Sequence, residues 1–127
     1  MAVHPVEASH VRGLLGGATR LALYGAGGKG RTLPRFLRET VPECEVAGFL
    51  DSDPALRGRR VDGLPVAGPE ALEAWGIQAV AVSTYAKHAV ASALRQFRRE
   101  SGGSFAVLTG LDELHSAHCF AALRELL

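Results

Sequence analysis

The chain predicts an α/β domain, a doubly wound parallel sheet in a single three-layer arrangement, and three observations carry that expectation. Short apolar runs alternate with stretches of helical periodicity along the whole length. The first strong run, Leu21-Ala22-Leu23-Tyr24, ends in the turn Gly25-Ala26-Gly27-Gly28-Lys29-Gly30. The second, Val46-Ala47-Gly48-Phe49-Leu50, ends in an acid, Asp51. Parallel neighbours need right-handed crossovers, so this order puts helices on both faces of an open sheet.

The elements follow in order. Val6, His10, Val11, Leu14 and Leu15 fall at helical spacing, so a leading helix within residues 1–17 is expected to stop at Gly16-Gly17. The first strand and glycine turn come next. Leu33, Phe36, Leu37 and Val41 then share one face of a helix closed by Pro42, and Pro34 early in it predicts a late start or a kink. The second strand spans residues 45–50. Asp51-Ser52-Asp53-Pro54 is turn chemistry, and residues 56–66 are too rich in glycine and arginine for a long helix; a loop with one short edge strand is expected. Pro69 to Trp75 reads as a short helix with proline at its first position, stopped by Gly76. Residues 77–82 are apolar enough for a strand buried on both faces. Thr84 is placed to cap a helix over residues 85–99 with Val90, Ala93, Leu94 and Phe97 buried, ended by Ser101-Gly102-Gly103. A strand over 105–108 and a closing helix over 111–127 complete the chain, the helix with Leu114, Ala121 and Leu127 inward.

Length and composition set bounds. At 127 residues, 47% of them hydrophobic, the chain suits one domain, residues 1–127, with a sizeable core. Net charge is +1, which implies no general attraction to nucleic acid or an anionic membrane. No basic stretch is interleaved with aromatic residues that would stack bases. Cys44 and Cys119 form neither a C-x-x-C motif nor a disulfide framework, and no run approaches membrane length, so a cytoplasmic location is expected.

Strand, glycine turn, helix, strand and terminal acid is the order of a Rossmann-like mononucleotide-binding unit. Gly25 permits a tight turn off the strand, Gly27 lets backbone approach a diphosphate, and Gly30 lets helix and strand pack closely. The diphosphate would lie over the first turn of the helix, where unpaired N–H groups and the helix dipole favour anions, with Lys29 adding charge. Asp51, 21 residues past Gly30, suits a ribose diol and favours NAD over NADP. The crevice at the carboxyl ends of the strands is expected to hold Gly25, Ala26, Gly27, Gly28, Lys29, Gly30, Asp51, Ser52, Asp53, Ser83, Thr84 and Tyr85, with Thr109 and Gly110 nearby.

Competing patterns are weaker. Gly25 to Thr32 also reads G-x-x-x-x-G-R-T, but Arg31 stands where a P-loop has lysine, and residues 77–82 lead to Ser83 and Thr84 rather than a magnesium-binding acid. Tyr85 and Lys87 lack the spacing of a tyrosine–lysine dehydrogenase pair, so Tyr85 reads as a crevice wall. His115, His118 and Cys119 share one side of the last helix without a fourth ligand, which favours packing over metal. Arg57, Arg59 and Arg60 are either a solvated loop or a phosphate contact; Lys87, Arg95, Arg98 and Arg99 read as a solvated helix face.

Over residues 20–86 the chain resembles the N-terminal Rossmann-like domain of bacterial enzymes that modify nucleotide sugars for polysaccharide biosynthesis. The resemblance rests on Leu23-Tyr24-Gly25-Ala26-Gly27, on Val46 through Pro54, and on Gly58-Arg59-Arg60-Val61-Asp62-Gly63-Leu64-Pro65-Val66. More loosely it is similar to the nucleotide-sugar-binding domain of sugar acetyltransferases and to the NADH-binding domain of redox-sensing repressors. These resemblances imply binding of a nucleotide-bearing small molecule, NAD(H), a nucleotide sugar or CoA, at Gly25, Gly27, Gly30 and Asp51. Each relative carries a second part that performs chemistry, trimerises or reads DNA. This length leaves no room for one, and no positioned acid, base or nucleophile pair faces the crevice. The expectation is therefore a binding module with no catalytic residue of its own, free-standing or part of a homo-oligomer. The alternatives are a cofactor-binding subunit or fragment working with a catalytic partner, and an NADH-responsive regulator.

Overall fold

The computed structural model describes residues 8–26, 32–84, 86–111, 113, 115 and 116. Its elements are α1 (Ala8–Leu15), β1 (Arg20–Tyr24), α2 (Leu33–Thr40), β2 (Glu45–Leu50), β3 (Arg60–Val61), β4 (Leu64–Ala67), α3 (Ala71–Ala74), β5 (Ala79–Val82), α4 (Lys87–Ser101) and β6 (Ala106–Leu108). The strands form one sheet in the order β3-β4-β2-β1-β5-β6. Every neighbouring pair is parallel except the antiparallel hairpin β3–β4. From β1 the chain moves outward through β2 to β4, then returns past β1 to β5. Strand order therefore reverses between β1 and β5, and a crevice opens at their carboxyl ends.

Alternation along each strand feeds two apolar layers. Leu21 and Leu23 of β1, Phe49 of β2 and Ala79 and Ala81 of β5 meet Val11 and Leu15 of α1 and Leu33, Phe36 and Leu37 of α2. Ala22, Leu50, Val80 and Val82 point the other way, onto Leu72 of α3 and Ala91 and Leu94 of α4. β5 is buried on both faces, as its unbroken apolar run predicts. Phe49, at 0% exposure, sits in the first layer, where burying such a side chain is worth roughly 1.5–3 kcal/mol.

A bulge interrupts the β1–β2 ladder: Leu21 lies opposite Val46, but Ala22 lies opposite Gly48. The extra residue is Ala47, and past it Tyr24 is level with Leu50. Gly48 is held to its size by the neighbouring layer, since a Cβ there would come within 2.8 Å of the Trp75 ring and of the Pro65 carbonyl oxygen.

Several expectations are corrected. The segment read as a loop with one edge strand is a hairpin, whose second strand β4 pairs in parallel with β2. Its two-residue turn, Asp62-Gly63, has φ of 51° and 79°, the positive pair that a right-twisted hairpin favours. Thr84 caps no helix: α4 begins at Lys87 behind Ala86, which makes no side-chain capping bond. The buried side chains of α4 are Ala91 and Leu94, flanked by half-buried Val90 and Phe97, while Ala93 is exposed. Helix α3 has only four residues and starts after Pro69 and Glu70. Pro34 falls at the N1/N2 position of α2, where a missing N–H costs little, so the helix starts late rather than kinking. Lys87 is not a solvated cation; its ammonium donates to Glu113 at 2.6 Å and faces the Thr109 carbonyl at 3.4 Å.

The expected stops hold at Gly16-Gly17 and at Gly102, which has φ 70°. Val6, Leu114, Ala121 and Leu127 lie outside the described residues. No described helix is long and apolar enough to cross a membrane.

Candidate functional site

The carboxyl ends of β1, β2 and β5 are drawn together by backbone. The Gly25 N–H donates to the Leu50 carbonyl at 2.8 Å, and the Ser83 N–H to the Tyr24 carbonyl at 3.0 Å. The Asp51 N–H donates to Ala67 at 3.0 Å, which brings the end of β4 level with them. Gly25 leaves β1 with φ 113°, and a Cβ on it would stand 2.6 Å from the Ser83 carbonyl oxygen. Only glycine turns off β1 so close to β5.

Asp51 does more than the sequence pattern implies. Its Oδ2 accepts from the Ala26 N–H and its Oδ1 from the Asp53 N–H, both at 2.9 Å. One carboxylate thus pins the entrance of the glycine turn and its own turn together, leaving further lone pairs on both oxygens. Asp53 repeats the device by accepting from the Ala55 N–H at 2.9 Å. The Arg57 guanidinium donates through Nε to the Asp51 carbonyl at 2.9 Å, which holds a cation beside the two acids. Arg60 instead closes its hairpin by donating to the Gly63 carbonyl.

The crevice also contains groups with no partner. Ser83 is 1% exposed, and its hydroxyl makes no hydrogen bond. Neither α2 nor α4 has a side-chain cap, although Thr32 stands at the N-cap of α2. Tyr24, which sequence reasoning passed over, lines an apolar hollow of about 230 Å³ with Pro69, Val90 and Leu94 on the α4 side. Its signal was its place as the last strand residue before the turn.

Of the predicted site residues, the structure brings Gly25, Ala26, Asp51, Asp53, Ser83 and Thr84 to this end of the sheet, with Ser52 exposed on the turn between the two acids. Gly27, Gly28, Lys29, Gly30 and Tyr85 lie outside the described residues, as do His118 and Cys119. His115 stacks against Phe36 with ring centroids 5.0 Å apart. No cluster of three metal-ligating side chains occurs among the described residues.

The perturbed titrating groups sit elsewhere. Burial pushes the Cys44 thiol up, with Glu43 adding to the effect. Hydrogen bonding to Arg12 holds the exposed Glu43 carboxyl low and raises the guanidinium in return. A cavity of about 370 Å³ lies near the start of β5 and β6, lined by Leu72, Ile77, Phe97 and Phe105. Glu70 and Glu73 also line it.

No family model matches the chain, and no curated protein does. Solved structures do. UDP-D-quinovosamine 4-dehydrogenase from Vibrio fischeri superposes with a TM-score of 0.58 at 18% identity, over 79% of this chain and 85% of that one. RSP, a Rex-family repressor, gives 0.55 at 15% identity over 93% of this chain and 65% of its own. RSP in complex with beta-NADH gives 0.54 at 15% identity, over 93% and 68% respectively. This chain thus spans about two thirds of the repressor's length. At such identities the likeness is one of fold: the chain has the α/β Rossmann-type architecture.

Proposed function

We propose that this chain is a nucleotide-binding module that takes a diphosphate-bearing molecule at the glycine turn, with NAD(H) the first choice and a nucleotide sugar or CoA the alternatives. The observation that carries the reading is the junction of Gly25, Ala26 and Asp51 at the point where strand order reverses. There the backbone turns away at φ 113°, and a carboxylate from the next strand faces the turn's first amide. The diphosphate would rest against the turn and the start of α2, and Asp51 would use its remaining lone pairs for ribose hydroxyls. The solved structures of like fold include a UDP-sugar dehydrogenase and a repressor in complex with NADH, which supports a nucleotide over other anions.

Catalysis by this chain alone is not part of the proposal, since the described residues of the crevice pair no base with a nucleophile. A role as the binding part of a nucleotide-sugar-modifying enzyme is favoured by the 85% coverage of the dehydrogenase chain. A regulatory role responsive to NADH is the other reading, favoured by the repressor's fold. A thermal-shift panel of NADH, NAD+, a UDP-sugar, UDP and CoA tests the proposal. A ligand at 100 times its dissociation constant should stabilise the fold by roughly 2.7 kcal/mol. If none of the five moves the melting temperature, the nucleotide reading is wrong. NADH binding far tighter than NAD+ selects the regulatory reading.

A further inference from the structure

We propose that the Ser83 hydroxyl donates a hydrogen bond to a phosphate oxygen of the bound nucleotide, as a side-chain floor to the anion site at the start of α2. The inference rests on the nucleotide reading above and goes beyond it by assigning a specific phosphate donor.

Ser83 is the one buried polar side chain among the described residues that lacks a hydrogen-bond partner. A hydroxyl shut away from water normally finds a partner, because leaving it unsatisfied is costly. Its position indicates what is missing. Ser83 continues the β5 ladder by one residue, its N–H bonded to Tyr24. Ala79 and Ala81 face the layer containing α2, so the alternation places Ser83 on that side too. Its carbonyl lies against Gly25, at the base of the glycine turn. The hydroxyl is therefore at the strand-order reversal, beside Gly25 and on the face of the sheet that carries α2.

Helix α2 needs such a donor. Its eight residues follow an N-cap threonine that makes no side-chain capping bond, and the proline at N1/N2 has no N–H to offer. The first turn of a helix attracts anions through free N–H groups, and this one is a donor short. A serine hydroxyl supplies a neutral donor there at no cost in charge repulsion. Asp51 already serves the opposite side of the turn as an acceptor, which suits hydroxyls of a ribose rather than phosphate oxygens.

The test compares wild type with Ser83→Ala and Ser83→Cys, by calorimetric or NMR titration with ADP, UDP and their nucleosides adenosine and uridine, alongside thermal melts. A hydrogen bond to a charged oxygen corresponds to roughly a tenfold to hundredfold change in affinity. Both variants should bind the diphosphates more weakly by that factor, bind the nucleosides unchanged, and melt at or above the wild-type temperature because an unsatisfied buried group is gone. Diphosphate binding equal to wild type in both variants overturns the Ser83 role while leaving the nucleotide reading intact. A fall in melting temperature in both, with affinity unchanged, assigns Ser83 to structure. Wild type that binds neither diphosphate overturns both readings together.

Discussion

The two ends of the sheet treat their polar groups differently. At the amino ends the Gln78 carboxamide oxygen accepts from the Thr19 N–H at 2.7 Å, the Thr19 hydroxyl at 3.2 Å and the Arg20 N–H at 3.3 Å. Arg20 itself spans Glu45 and the Trp75 carbonyl, so three segments are stitched by side chains that serve one another. At the carboxyl ends Ser83 has no partner, the helices start without side-chain caps, and Gly25 adopts a conformation closed to other residues. The polar groups named at the amino end are all paired within the fold; at the carboxyl end the Ser83 hydroxyl and the two uncapped helix starts are not. That contrast, more than the glycine pattern, is what the proposed function rests on.

The contrast can be broken most forcefully at Gly25. Gly25→Ala puts a Cβ 2.6 Å from the Ser83 carbonyl oxygen at φ 113°, and should cost about 3 kcal/mol in urea unfolding while abolishing nucleotide binding. An unchanged denaturation midpoint would mean the turn is not pressed against β5. Asp51→Ala should come next, at about 1–2 kcal/mol, because two backbone N–H groups lose their acceptor, and ligand affinity should fall with it. Stability lost with affinity retained would confine Asp51 to holding the turn.

Gln78→Ala sharpens the comparison from the other end. It should cost about 1 kcal/mol and leave nucleotide affinity untouched, since its three donors belong to the fold alone. Any change in affinity would connect two ends that the structure keeps apart. The smallest effect belongs to Cys44. Its thiol is held above its usual range, so it binds its proton more tightly folded than unfolded. Its contribution is complete below the ordinary value of 9.0 and is lost as pH rises through the folded value. Denaturation midpoints should therefore decline on the alkaline side, and Cys44→Ala should flatten that decline.

The main frame was legible because β1, β2 and β5 are apolar runs bounded by glycines or acids, and α4 ends at an unmistakable glycine pair. The β3–β4 hairpin was not. Each strand is too short to show alternation, and Gly58, Gly63 and Pro65 suggested a loop; the Asp62-Gly63 dipeptide was the available signal. Thr84 looked like a cap by residue type, but the chain runs on to Ala86 before α4 starts. At the site, Asp51 could be placed by its position after β2. Its bond to the Ala26 amide depends on how β1 and β2 slide past each other, which single-strand patterns do not contain.

That offset comes from the spare residue at Ala47. Val46 and Phe49 share one layer although three positions apart, and Ala47 and Leu50 share the other, so the bulge absorbs one residue of the alternation; without Ala47 the ladder would run regularly and Phe49 would stay level with Leu23. The facing of the terminal acid is in this sense set by the residues counted after the bulge, not by those before it. Deleting Ala47 should therefore leave the acid facing the turn, whereas inserting one residue between Phe49 and Asp51 should swing it to the opposite face; titration of both variants with a nucleotide distinguishes the two outcomes.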